Sequence, residues 1–87
     1  MDIKDWRNQI DELNDEIIAL LNKRASCAVE IGKIKKAKGL PVFDSVREQA
    51  VLDCISQKAG AANGPLSPDS FKRIFQTIME ETRKVEK

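Results

Sequence analysis

The chain has 87 residues, 15 of them basic and 14 acidic, for a net charge of +1, and it contains no histidine. That balance lacks the excess positive charge of a nucleic-acid-binding domain, and the missing imidazoles remove the commonest general base and metal ligand. Any chemistry must rest on arginine, lysine, carboxylates, hydroxyls and geometry. Cys27 and Cys54 stand apart, with no CxxC and no Cys/His cluster, so no zinc site is expected. Both lie in apolar periodic stretches and read as small buried thiols in a reducing compartment. The first residues, MDIKDWRNQIDE, lack the apolar run of a signal peptide, and no stretch reaches the length of a membrane span. A cytoplasmic protein is expected, with neither nucleic acid nor membrane as partner.

Ile3, Trp6, Ile10, Leu13, Ile17, Leu20, Arg24, Cys27, Ile31 and Ile34 alternate at steps of three and four. This is the spacing of one long helix with a continuous apolar seam. A first helix is predicted over 3–38, stopped by Gly39 and by Pro41 two residues later. Asp44 or Ser45 can cap a second helix over 45–59, with Val51, Leu52 and Ile55 as its apolar face. A turn-rich loop, GAANGP, follows. Ser67-Pro68 then places a cap before proline at the first helical position, opening a third helix over 68–86. No β pattern or internal repeat is visible. The expected fold is all-α, a single domain of three helices spanning 1–87.

The first helix is too long for a domain of this size. Some 36 residues span about 54 Å, whereas a compact chain of this length has a radius of gyration near 12 Å, hence a diameter of about 30 Å. Leaving Trp6, Ile10 and Leu13 in water would forfeit about 1.5–3 kcal/mol apiece. No break is read before Gly39. The expected remedy is a twofold dimer whose long helices pair antiparallel.

Two cations interrupt the inner face. Arg24 occupies a slot in the seam, and Lys35, eleven residues on, returns to within about 20° of the same azimuth. With Leu21, Ala28 and Ile31 they form a stripe with small Ala28 between the charges. Both side chains can close on one small anion resting over Ala28, and a guanidinium suits a carboxylate because its planar fork binds both oxygens. Arg7 lies about 25 Å from Arg24 along the axis. In an antiparallel dimer crossing near Ile17 it falls opposite Cys27 of the partner, delivering a third cation. Thr82 and Glu86 extend the apolar face of the third helix, and Asp44, Arg47 and Glu48 cluster in the first turn of the second. Taken singly, each has a plain structural reading: a solvated charge, an N-cap for Asp44, or a hydroxyl bonded back to a carbonyl for Thr82. Their joint placement points to a ligand.

Arg7, Arg24 within LLNKRA, Lys35 within EIGKIK, the stretch GLPVFDSVREQAVL and the ending FQTIMEETRKVEK together resemble the all-helical class of chorismate mutases, over essentially the whole chain. The resemblance implies an intertwined homodimer with shared active sites, as a stand-alone enzyme or as a domain of a fused shikimate-pathway enzyme. It also implies an isomerase converting chorismate to prephenate in aromatic amino acid biosynthesis, without cofactor or metal. By the same resemblance, Arg24 and Arg7 of the partner clamp the two substrate carboxylates, and Lys35 donates to the ether oxygen whose bond breaks. Asp44 and Glu48 hold the ring hydroxyl, Arg47 shapes the pocket, and Thr82 lies near a carboxylate. Glu86 is the second donor to the ether oxygen. A glutamate donates only when protonated, so turnover should decline with rising pH. Two rivals remain: an isochorismate pyruvate lyase on the same fold, and a non-catalytic helical dimer that docks a partner or anionic effector.

Overall fold

A computed structural model describes residues 2–87 as three helices, α1 (Ile3–Lys38), α2 (Ser45–Ala62) and α3 (Pro68–Arg83), with no strand among them. The starts follow local capping chemistry. Asp2 and Asp5 form a reciprocal capping box on α1. Asp44 Oδ1 accepts from the Arg47 N–H at the start of α2, and Ser67 Oγ accepts from the Ser70 N–H at the start of α3. Gly39 ends α1 in the left-handed region (φ 69°), where its N–H and that of Leu40 return to the Lys35 carbonyl.

Two helix ends differ from the sequence prediction. Helix α2 passes through Gly60 to Ala62, because alanines 61 and 62 continue it and the left-handed stop falls on Asn63 (φ 54°). Helix α3 stops at Arg83, three residues short of the expected end. Beyond it the N–H groups of Lys84, Val85 and Glu86 each bond three residues back, to Glu81, Thr82 and Arg83. This tighter 3₁₀-type winding replaces the α-helical stripe that would carry Glu86. Gly32, inside α1, does not interrupt it.

Helices α2 and α3 pack along each other, while α1 meets α3 only over part of its length. The chain extends 54 × 25 × 15 Å with a radius of gyration of 15.9 Å, well above the ~12 Å of a compact chain. Among the described residues the buried apolar side chains are only Ala28, Ala59 and Met79. Along the first half of α1 the seam lies open, with Trp6 and Ile10 each 54% exposed. Cys27 and Cys54 are free and exposed, contrary to the buried thiols expected from their apolar surroundings, because a single chain leaves those helix faces uncovered. Among the described residues no helix is long and apolar enough to cross a membrane.

Candidate functional site

The second half of α1, the start of α2 and the end of α3 enclose a cavity of about 450 Å³, within the ~300–1,000 Å³ of small-molecule sites. Arg24, Ala28, Ile31 and Lys35 form its α1 wall, so the eleven-residue spacing places both cations on one ligand-sized surface. Asp44, Arg47 and Glu48 of α2 and Thr82 and Glu86 from the far end of the chain also line it. Seven of the eight predicted site residues therefore converge. Arg7 does not; it sits on the exposed N-terminal half of α1.

Each cation is held by a specific partner. Arg24 Nη1 donates to Thr82 Oγ1 at 2.9 Å, and the Thr82 hydroxyl donates back to the Ile78 carbonyl at 2.6 Å. The back-bond commits the hydroxyl hydrogen and leaves its lone pair to steady the guanidinium. Lys35 Nζ donates to the Val42 carbonyl at 2.8 Å and to Glu86 Oε1 at 3.3 Å, with both charged side chains less than one-fifth exposed. An ammonium has three donors, so one remains for a ligand oxygen. The Asp44 side chain acts as the α2 N-cap, the plain structural reading. It also borders the cavity.

Arg83 is a residue the sequence reading missed. Its Nε and Nη2 donate to Glu48 Oε2 and Oε1 at 2.9 and 3.0 Å, a bidentate pair. Its guanidinium also lies over the Phe43 ring, 4.6 Å from the centroid. The Glu48 carboxylate is thereby fixed in orientation while each oxygen keeps a lone pair for a ligand hydroxyl. The signal was present, since Arg83 follows Met79 by four residues on the inner face of α3. Among the described residues no group of His, Cys, Asp or Glu converges as metal ligands.

A cavity with two fixed cations on one wall and carboxylates opposite has the chemistry to hold a small polyanion that also carries a hydroxyl. A family model described as chorismate mutase type II matches residues 6–87. The chain belongs to the chorismate mutase type II family. It is 30% identical over 81 residues to a chorismate mutase of Methanocaldococcus jannaschii, covering 93% of this chain and 80% of that one. It is 40% identical over 81 residues to a bifunctional chorismate mutase/prephenate dehydratase of Neisseria gonorrhoeae, covering 93% of this chain and 21% of that one. The T-protein of Haemophilus influenzae is 32% identical over 80 residues, 92% of this chain and likewise 21% of that protein. The chain thus spans about a fifth of the length of these two multidomain-sized relatives. Among solved structures, a chorismate mutase (form II) from Thermus thermophilus superposes with a TM-score of 0.90 at 28% identity, covering 97% of this chain and 92% of that one. The all-helical chorismate mutase fold expected from the sequence is the fold found.

Proposed function

We propose that this chain is a cytoplasmic chorismate mutase that works as a homodimer, with each site completed by Arg7 of the partner subunit. The observation that carries the reading is the convergence of Arg24 and Lys35 with Glu86, Asp44 and Glu48 around one cavity. The rearrangement of chorismate to prephenate is unimolecular: the ether C–O bond breaks as a C–C bond forms, and no proton or electron leaves the molecule. It requires no nucleophile, and a protein without histidine can catalyse it. Two means suffice. One is restraint of the dicarboxylate in its compact reactive conformer. The other is preorganised donors for the negative charge growing on the ether oxygen.

Arg24, steadied by Thr82, takes one carboxylate, and Arg7 of the partner subunit takes the other. Lys35 gives its remaining N–H to the ether oxygen, with Glu86 beside it. Glu48, oriented by Arg83, accepts from the ring hydroxyl together with Asp44, and Arg47 borders the same end of the cavity. The open seam of α1 supports the dimer, because its apolar residues find no cover within one chain. Unfolding coupled to dissociation makes the melting temperature rise with protein concentration. A tenfold dilution is expected to lower Tm by a few degrees; a concentration-independent Tm would refute the dimer.

The decisive assay incubates the protein with chorismate and follows its loss and the formation of prephenate. Isochorismate is run in parallel with pyruvate as readout. Prephenate formation without pyruvate release supports the mutase; pyruvate from isochorismate alone supports the lyase; turnover of neither favours the docking module. Glu86 carries a further expectation. A carboxyl donates a hydrogen bond only while it holds a proton, whereas an amide donates at any pH. A donor role for Glu86 at the ether oxygen therefore requires wild-type turnover that falls as pH rises. Glu86→Gln should flatten that profile, and an unchanged profile in the variant would remove Glu86 from the ether oxygen.

A further inference from the structure

We propose that Gly32 is a positioning residue: the absence of a side chain there seats the turn after α3 on α1, and the seat holds the Glu86 carboxyl at Lys35. The inference rests on the mutase reading for its catalytic consequence. Glycine is unfavourable inside a helix relative to alanine, yet Gly32 lies within α1 and is buried. The space above it is taken by backbone. A β-carbon on Gly32 would overlap the Glu86 carbonyl oxygen and would lie 2.8 Å from Glu86 Cα and 2.9 Å from its carbonyl carbon. Gly60, the glycine inside α2, has nothing within 4 Å of the equivalent position, so close approach is particular to Gly32.

This contact acts as a short lever. Lys35 follows Gly32 by three residues, one turn along the same face of α1. The Glu86 backbone rests on Gly32 while its carboxyl reaches along that turn to Lys35 Nζ at 3.3 Å. Little else anchors the segment. Beyond the Glu86–Lys35 contact, it has the three short-range backbone bonds of residues 84–86 and an exposed Lys84–Glu81 ion pair within one turn. Its other flank borders a cleft of about 190 Å³ edged by Val29, Lys33 and Lys36. When a methyl group is added at Gly32, the turn yields before α1 does, because α1 is a continuous hydrogen-bonded helix on both sides of the site. The carboxyl then leaves the ether-oxygen position, which weakens transition-state stabilisation more than substrate affinity.

The test uses Gly32→Ala, with Gly60→Ala as the control for intrinsic helix propensity. Gly32→Ala is expected to retain helix content and wild-type Tm or higher, to speed amide hydrogen exchange at residues 84–86, and to lower kcat for chorismate about tenfold or more with KM changed less. In a Glu86→Ala background the same substitution should add no further loss of kcat, since its effect passes through Glu86. Gly60→Ala should change neither exchange at 84–86 nor kcat. Unchanged exchange at 84–86, losses that multiply in the double variant, or collapse of helix content in Gly32→Ala would each overturn the proposal. The exchange arm stands even if chorismate is not the substrate; failure of wild-type turnover with faster exchange in Gly32→Ala would reject the mutase reading and keep the seat.

Discussion

Lys35→Ala is expected to lower kcat/KM for chorismate by about 10²–10³-fold or more, with most of the loss in kcat. Removing one preorganised donor from a developing oxyanion costs about that much, and here the donor is also the full positive charge nearest Glu86. Lys35 is well prepared for the task. The Val42 carbonyl and Glu86 Oε1 take two of its three N–H groups and fix the ammonium at the cavity wall. Reorganisation on binding is therefore small. Lys35→Arg should recover little, because a planar fork cannot reproduce a compact point charge between those two acceptors. Arg24→Ala should produce a comparable fall in kcat/KM with a larger share in KM. In the proposed mutase its guanidinium, pinned by Thr82 at 2.9 Å, would bind a carboxylate present in both ground and transition states. Steady-state kinetics of the variants, with circular dichroism to verify the fold, measure the effect. Activity within about threefold of wild type for either alanine variant would exclude that residue from the chemistry.

The parts of this molecule that local rules govern were legible in the sequence. The step pattern from Ile3 to Ile34, the stop at Gly39 and the Ser67-Pro68 start depend on neighbours a few residues away, and the helices begin and end there accordingly. The same geometry sets Arg24 and Lys35 on one wall, since eleven residues make just over three whole turns. Features that depend on contacts between distant segments were not legible. Glu86 lies beside Lys35 not as the next step of an α-helical stripe but because the chain tightens after Arg83 and comes to rest on Gly32. Neither the tightening nor the seat has a local signature beyond a glycine where alanine would suit the helix better. The Arg83–Glu48 pair joins residues 35 positions apart, and only the packing of α2 on α3 brings them together. Cys27 and Cys54 illustrate the converse: apolar periodicity predicted burial, but periodicity reports which face seeks cover, not which chain supplies it.

The proposal of shared sites turns on Arg7, and mixing variants tests it without reference to any single mutant's stability. Arg7→Ala should lower kcat/KM by about 10²–10³-fold, as expected for loss of a bidentate carboxylate clamp, although Arg7 lies on the exposed half of α1, remote from the cavity of its own chain. Lys35→Ala is defective for a different reason. When the two variants are unfolded together and refolded, random pairing gives about half heterodimers under twofold symmetry. Each heterodimer has one site with native Lys35 from one chain and native Arg7 from the other, and one site lacking both. One intact site in half of the dimers restores about a quarter of wild-type activity, far above either variant alone. If Arg7 instead served its own chain, every site in the mixture would still carry one defect, and activity would stay at the variants' level. Recovery that vanishes when the dimers are mixed without unfolding, and appears when they are allowed to exchange, identifies the partner's helix as the source of the missing cation. Absence of recovery after full exchange would leave the seam of α1 without a catalytic reason to pair.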